Sequence, residues 1–242
     1  MAEMSIPFSV FDIFVYLIPG SLVLFSIALI FWPVHDLRAL WSDLNSFGDL
    51  RYALYGIALI LAYVVGHATA ALGSALLEGV IVGRILGYPS KNLFESTPPD
   101  GLFRSYRKPY KPEYVDEFKK RFKEFFGRDF GEEDTFMSCY SVVMEKCPTA
   151  FSRLSIFIVQ YDFARNLAMA LLMALPFFLW TGHFQDEPVF AALGLLSALL
   201  FFVMLLRYLK FFRHYSDLVF RSFLTYTTPA MRKEQQPSVP RV

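Results

Sequence analysis

Four long apolar stretches, separated by charged segments, constrain this chain more than any other feature of its sequence. They cover residues 13–32, 52–72, 166–180 and 189–206. A helix needs about 20 apolar residues to cross the roughly 30 Å hydrocarbon core of a bilayer. Three stretches reach that length within a few residues, and we expect the helix of the third to begin earlier in the chain. The sequence therefore predicts an all-α integral membrane protein with four transmembrane helices.

The composition agrees with a membrane protein. Of the 242 residues, 55% are hydrophobic, 19% are charged and 27 are phenylalanine. A soluble domain has about 25% charged residues and less than half apolar ones. The two cysteines, Cys139 and Cys147, are too few for a disulfide framework or a Cys-rich metal site. We expect both to be inert thiols in a reducing cytoplasm.

Lysine and arginine are distributed very unevenly between the connecting segments. Fourteen lie between the second and third stretches and seven follow the fourth. The first connection has two, Arg38 and Arg51, and the third connection has none. Cytoplasmic loops carry the excess of positive charge in multi-pass proteins. This pattern predicts a multi-pass membrane protein with both termini in the cytoplasm.

Three of the helices are predicted to continue beyond the membrane. The second runs to about residue 86, the third begins at Pro148, and the fourth extends to about Thr225. The predicted organisation has four segments. Transmembrane helices 1 and 2 occupy residues 1–86, and a small cytoplasmic helical module occupies residues 87–147. Transmembrane helices 3 and 4 with their extensions occupy residues 148–226, and a disordered tail occupies residues 227–242.

The cytoplasmic module is expected to contain two main helices. Residues 114–126 form an amphipathic pattern with Tyr114, Phe118, Phe122 and Phe125 on one stripe, and Gly127 follows as the C-terminal cap. A second helix is predicted from Glu132 or Asp134 to Lys146, and residues 96–101 form a loop. Because 60 residues make a marginal core, the module is expected to need the helix extensions or neighbouring subunits for stability.

The second apolar stretch has two different faces. A stripe of small residues allows close approach of another helix. A neighbouring stripe contains His67, Ser74 and Glu78, and polar groups on a membrane helix seldom face lipid. These three predict a pore or polar face, and the alternative is that His67 hydrogen-bonds a neighbouring helix while Glu78 forms an interfacial ion pair. The predicted helix-packing residues are Ala58, Ala62, Gly66, Ala70 and Gly73.

Several charged and polar side chains fall near the cytoplasmic edge of the spans. A charge costs about 3 kcal/mol at the bilayer centre and less at its edge, so opposite charges there are expected to pair. Glu78 is expected to pair with Arg165 or Arg207, and the alternative is a constriction ring or gate. The other predicted members of this layer are Asp12, Asp162 and Asn166.

Residues 104–128 contain nine lysines and arginines against four acids, interleaved with aromatic residues. Such a patch suits anionic lipid, a nucleotide or nucleic-acid signal, or an acidic cytosolic partner protein. Acidic residues immediately after the patch argue against a binding groove for polyanions, and the alternative is a solvated helix face. The predicted contact residues are Arg104, Arg107, Lys108, Lys119, Lys120, Arg121 and Lys123.

Sequence signatures of an enzyme are missing. The chain has no HExxH, GxSxG, Walker A or CxxC motif, and no GxGxxG following a strand. His67 and Glu78 are eleven residues apart, about 16 Å along a helix, which is too far for a shared metal. We therefore predict a protein that is not an enzyme, with no cofactor and no metal site.

Three short segments resemble those of small bacterial membrane proteins, some encoded in anti-phage defence operons. They are FDIFVYLIPG at residues 11–20, GHATAALGS at 66–74 and DFARNLA at 162–168. The overall plan is also similar to the membrane components of Hailong and Kiwa systems. The resemblance implies four spans, oligomeric assembly and an effector that depolarises the inner membrane to halt growth.

Together these features predict a homo-oligomeric inner-membrane effector with a gated ion-conducting path, controlled from its cytoplasmic module. Four short spans enclose a water path poorly, whereas a ring of subunits can enclose one. One alternative is a non-conducting scaffold or sensor that recruits a cytosolic enzyme through residues 87–147. Another is a small proton-coupled transporter that uses Glu78.

Overall fold

The structure is a computed structural model that describes residues 13–31, 48–95, 101, 103–131, 134–186 and 188–228. These residues form helices, turns and bends but no strand, so the predicted all-α class is confirmed. Four helices are long and apolar enough to cross a membrane, which confirms the predicted spans. The elements are α1 (a π-helical turn Ile13–Leu17, then Ile18–Phe31), α2 (Leu50–Gly73, continuing as a π-helix Ser74–Leu86), α3 (Pro89–Asn92), α4 (Arg104–Arg107), α5 (Pro112–Phe126), α6 (Thr135–Lys146), α7 (Pro148–Phe184) and α8 (Pro188–Thr227).

The helix boundaries follow local chemistry. Proline occupies the first position of α5 and of α7, where its fixed φ suits a helix start and its missing N–H is not needed. Gly127 ends α5 with φ +70°, a left-handed conformation that favours glycine. The Asp134 side chain accepts a hydrogen bond from the Met137 N–H and so caps α6.

The described chain divides into two compact units. The first, called the spanning unit, contains α1, α2 as far as Ile81, and the parts of α7 and α8 within Val159–Tyr208. The second, called the aromatic unit, contains the described residues of Val82–Ile158 and those from Leu209 onward. The predicted cytoplasmic module of residues 87–147 therefore shares its compact unit with the ends of three long helices.

In the spanning unit, α1 and α2 touch backbone to backbone. A Cβ added to Gly66 would lie 2.0 Å from the Tyr16 carbonyl oxygen, and one added to Gly20 would lie 1.8 Å from that of Ala62. Real Cβ atoms do not approach this closely, so glycine is required at both positions for this crossing. Small residues allow such contacts between membrane helices, where backbone proximity supplies the packing energy.

Side-chain hydrogen bonds join other helices of the spanning unit. The Asn166 side-chain amide on α7 donates to the Val15 carbonyl on α1 at 3.1 Å. The buried Ser197 hydroxyl on α8 donates to the Leu171 carbonyl on α7 at 2.8 Å. In an apolar medium these groups need such partners, and they fix which helix faces meet.

The π-helical continuation of α2 ends where the sequence predicts. The Gly87 N–H donates to the Val82 carbonyl at 2.7 Å, the five-residue spacing of a π-helix, and Gly87 itself has φ +78°. The Asn92 amide then donates to the carbonyls of Leu86 and Gly87 at 3.0 and 3.1 Å. The end of α2 is capped by this asparagine from α3, while the π-helical winding itself has no signal in the sequence.

The aromatic unit has a phenylalanine-rich core. Phe118 and Phe122 of the predicted amphipathic stripe are buried, whereas Phe125 at its edge is 38% exposed and packs on Phe223. Since α8 supplies part of this core, the unit does not depend on residues 87–147 alone. The buried core residues are Leu93, Phe118, Phe122, Cys139, Val143, Leu154, Val219, Phe220 and Phe223.

Some predictions concern residues outside the described ranges. These are the charge at Asp12, most of the loop predicted at residues 96–101, and the tail beyond residue 228. The predictions for them stay predictions.

Candidate functional site

A three-membered charge cluster lies in the spanning unit. The Arg165 guanidinium bonds one oxygen of Glu78 and one of Asp162, with an N···O distance of 2.9 Å to each. The side chains of Arg165, Glu78 and Asp162 are 11%, 25% and 26% exposed. Two carboxylates share one guanidinium, so with all three groups ionised the cluster has a formal charge of −1.

Local helix geometry brings these groups together. Asp162 and Arg165 are three residues apart on α7 and so share a face. Glu78 comes from the π-helical part of α2, and Gly73, about one turn earlier, lies beside the arginine stem. A Cβ on Gly73 would lie 3.6 Å from the Arg165 Cγ, an ordinary van der Waals contact. The centre of the small-residue stripe therefore packs against the arginine of the charge cluster.

Asn166 links the charge cluster to α1. Its side-chain oxygen accepts a hydrogen bond from the Arg165 Nε at 3.3 Å, while its amide donates to the Val15 carbonyl. Asn166 is fully buried, so both of its polar ends are satisfied within the protein. Of the two arginines predicted to bind Glu78, the structure places Arg165 beside it, and Arg207 is an exposed residue of α8.

His67 lies in an aromatic cluster that the sequence analysis did not anticipate. Its ring stacks on Tyr16 of α1, with centroids 4.0 Å apart and an interplanar angle of 16°. Tyr63, one turn earlier on α2, meets it edge-on at 4.6 Å. The spacing of Tyr63 and His67 was visible in the sequence as an i, i+4 pair. Tyr16 could only be found from the crossing of α1 over α2.

The predicted polar face of α2 is only partly covered. His67 and Ser74 are both exposed, and Glu78 is half-buried in its ion pair. On the predicted packing stripe, Ala62, Gly66 and Gly73 are buried, Ala70 is half-buried and Ala58 is exposed. The structure therefore buries the centre of the packing stripe, while His67 and Ser74 on the polar face stay exposed, His67 with the Tyr16 and Tyr63 rings beside it.

The predicted basic contact residues fall into two groups. Arg121 binds Glu117 at 2.7 Å and Glu124 at 3.6 Å, and Lys123 binds Asp129 at 2.8 Å. Arg107 approaches Glu95 at 4.0 Å, and Lys119 lies over the Phe130 ring. These contacts give much of the patch the character of a solvated helix face. The remaining members are exposed: Arg104, Lys108 and Lys120.

Two tyrosines of the aromatic unit have unusual surroundings. The Tyr110 hydroxyl donates to Asp217 at 2.7 Å, and burial, reinforced by this hydrogen bond, raises the pKa of Tyr110. Burial also raises the pKa of the neighbouring Tyr114 to about 12. Similarly, burial raises the pKa of the Cys139 thiol, and it does so for Cys147. These groups are neutral at physiological pH.

Within the described ranges, no group of three or more His, Cys, Asp or Glu side chains is placed to hold a metal ion. Compared with known proteins, the chain matches no protein-family model, no curated protein and no solved structure. The resemblance to anti-phage membrane effectors therefore stays a prediction from the sequence.

Proposed function

We propose that this multi-pass membrane protein assembles from several copies around an ion-conducting path lined by the polar face of α2. The observation that carries the proposal is the exposure of His67 and Ser74 on a helix long and apolar enough to cross a membrane. Within the described chain, the centre of the small-residue stripe is buried, the His67 ring contacts Tyr16 and Tyr63 but remains exposed, and Ser74 is exposed.

Exposed polar side chains at membrane depth need water or protein beside them. Ionisable and polar residues in transmembrane segments almost always face a bundle interior or a water-filled cavity. Ser74 is exposed two residues beyond the predicted span of residues 52–72, so we place it at the mouth of the water path, beside a second copy. A ring of copies provides both, because each α2 then presents its polar face toward the centre of the ring.

The charge cluster gives the path its electrical character. Glu78 follows Ser74 by one turn and belongs to a cluster with a formal charge of −1. Repeated around a ring, this charge attracts cations and repels anions, as rings of acidic side chains do in cation channels. We therefore propose cation selectivity, with Arg165 holding Glu78 in place at the edge of the path.

The distribution of basic residues sets the proposed orientation. We propose a bacterial inner membrane location with both termini and the aromatic unit in the cytoplasm, by the positive-inside bias. We propose that the aromatic unit controls opening. Opening would depolarise the cell and arrest growth, in keeping with the defence role that the sequence resemblance implies.

The experiment measures ion flux through the purified protein in liposomes, with membrane potential followed in cells that express the same variants. We expect cation flux from the wild type and a large reduction in Ser74→Leu and Glu78→Gln. Leu72→Ala is the matched control, because Leu72 is an exposed apolar residue on the same helix. Equal amounts of inserted protein are confirmed for every variant.

Several outcomes would overturn this proposal. Wild-type flux that persists in Ser74→Leu and Glu78→Gln would place the path elsewhere. A monomer in native-like nanodiscs would remove the ring on which the argument depends. Flux that requires a particular solute would instead indicate the transporter alternative.

One observation favours a second candidate, a scaffold that recruits a cytosolic partner. Arg104, Lys108 and Lys120 are exposed on the aromatic unit, and none forms an ion pair with a described carboxylate. The positive charges of these three side chains are therefore available to bind an acidic partner protein. The scaffold predicts that Lys120→Glu abolishes cellular activity while Ser74→Leu retains it, which is the opposite of the channel prediction.

A further inference from the structure

A cavity of about 560 Å³ lies within the aromatic unit, where the end of α6, the start of α7 and the last turns of α8 meet. Small-molecule sites are typically about 300–1,000 Å³, so the cavity has the size of a binding site. No motif in the sequence pointed to it, since its residues come from three separate helices. They include Lys146, Cys147, Arg153, Leu218, Arg221 and Tyr226.

The charged residues that line this cavity are all cations. Lys146, Arg153 and Arg221 come from α6, α7 and α8, and no described carboxylate is among the lining residues. Glu145 pairs with Lys146, and Asp217 pairs with Arg221 at 2.8 Å, so two of the three charges are partly compensated. Arg153 is exposed and has no ion pair with any described carboxylate. The cavity therefore has a positive charge available for a ligand.

Backbone donors at the start of α7 add to this charge. The first intrahelical hydrogen bond of α7 runs from the Phe151 N–H to the Cys147 carbonyl at 2.9 Å. The N–H groups of Thr149 and Ala150 precede that bond, so they have no acceptor within the helix. Such N–H groups and the positive end of the helix dipole favour anions. The cations from three helices and the half-open cavity between them make this more than a helix terminus alone.

The rest of the lining suits an organic group. Leu218 and the Tyr226 ring supply apolar surface, while Thr149 and Ser222 supply hydroxyls. Guanidinium groups bind phosphate through paired N–H donors, a geometry that lysine and most neutral groups do not offer. We propose that this cavity binds a small phosphate ester, with the phosphate between Arg153 and the start of α7 and the organic part against Leu218 and Tyr226.

Cys147 makes binding directly measurable on the full-length protein. It lines the cavity and is half-buried, whereas Cys139, the other cysteine of the chain, is fully buried in the aromatic core. A thiol reagent at about pH 8.5, the usual pKa of a cysteine, therefore modifies Cys147 first. At a probe concentration about ten times its Kd, occupancy slows this reaction by about tenfold.

The probes are inorganic phosphate, AMP and adenosine, applied to protein in phosphatidylcholine nanodiscs. We expect protection of Cys147 by AMP and by phosphate, and none by adenosine. Arg153→Gln should abolish the protection, whereas Lys120→Gln should leave it unchanged, since Lys120 is an exposed cation of α5 outside the cavity. A parallel sample in phosphatidylglycerol nanodiscs tests a lipid headgroup as the source of the phosphate.

Each result decides the proposal. Protection by AMP that depends on Arg153 supports a soluble ester, and Arg153-dependent protection in phosphatidylglycerol alone supports the same phosphate site with a lipid as its source. The proposal would be overturned by equal protection from adenosine, by protection that is retained in Arg153→Gln, or by the lack of protection from every probe. Loss of protection in Lys120→Gln would move the anion site to α5. Because Cys147 labelling does not require an ion current, its outcome tests the phosphate site independently of the proposed channel.

Discussion

In the spanning unit the closest helix contact is made through glycine and alanine, whereas in the aromatic unit the helices meet through phenylalanine. Gly20 and Gly66 sit at a backbone contact, and large apolar residues such as Ile60 and Leu195 are 65% and 71% exposed. The aromatic unit instead buries Phe118 and Phe122 completely or almost so, at 0% and 1% exposure.

These two kinds of helix packing are the ones favoured in lipid and in water, respectively. In water, burying an apolar side chain contributes about 1.5–3 kcal/mol, so large side chains go inside. In lipid there is no such gain, because the acyl chains are as apolar as leucine, and close backbone packing with interhelical hydrogen bonds takes over. In the proposed arrangement, with the spanning unit in lipid and the aromatic unit in water, the exposed leucines of the first and the buried phenylalanines of the second follow from the same physics.

The largest effect is expected from Phe118→Ala in the aromatic unit. Truncating a fully buried phenylalanine costs about 3–5 kcal/mol, because it leaves a cavity among neighbouring rings. Cys139 lies in the same core, so its labelling rate in a Cys147→Ser background reports opening of this unit. We expect labelling to be faster by a factor of about 10² or more. Phe125→Ala, at a 38% exposed position, is the matched control, and equal acceleration in both would contradict the assigned core.

Gly66→Ala should produce the next largest effect, confined to the spanning unit. One methyl group would lie 2.0 Å from the Tyr16 carbonyl, forcing α1 and α2 apart at a cost of about 3 kcal/mol, the upper part of the range for overpacking. Gly56→Ala on the same helix meets nothing within 4 Å and should be neutral or slightly stabilising. Unfolding by SDS in mixed micelles measures both. A neutral Gly66→Ala would mean that these helices do not cross here.

A smaller effect is expected from separating Glu78 and Arg165. A hydrogen bond between charged groups contributes about 1.5 kcal/mol or more, and we expect the lower figure because Glu78 is 25% exposed. Arg165→Gln leaves Glu78 and Asp162 without their shared cation, so adding Glu78→Gln should restore part of the lost stability. A double-mutant cycle from SDS unfolding gives the coupling energy. Strict additivity of the two substitutions would show that the pair contributes nothing.

The smallest effect concerns pH and the aromatic unit. Tyr110 and Tyr114 have pKa values raised by burial, so the folded state holds their protons more tightly than the unfolded state, where the pKa is about 10. This stabilisation is fully present below pH 10 and is lost as pH rises toward the folded pKa values. Tyr110→Phe should cost about 1 kcal/mol at neutral pH and reduce the loss of stability above pH 10. Urea unfolding followed by Cys139 labelling at several pH values tests this, and an unchanged alkaline slope would contradict it.

The helices could be predicted from the sequence because their signals are local. Apolar length defines the spans, Pro148 begins α7 and Gly127 ends α5, whereas α5 begins at Pro112, two residues before its predicted start at Tyr114. The ion pair between Glu78 and Arg165 was one of two predicted pairings, since charges near the edge of a membrane must find partners. The stripe of Ala62, Gly66 and Gly73 also followed from spacing alone.

The contacts that could not be predicted from the sequence join residues far apart in the chain. Tyr16 meets His67 only because α1 crosses α2 at Gly66, and Phe220 enters the aromatic core only because α8 returns to α5. The cavity of about 560 Å³ likewise brings together Lys146, Arg153 and Arg221 from three helices. Helix formation, and the length and apolar character that suit a helix to a membrane, are decided by residues within a few turns of each other, so the sequence by itself determined them. The tertiary structure decided which helix faces touch and therefore which polar groups share a site. The reason is that a helix by itself does not favour one of its faces over another, and packing against other helices selects one.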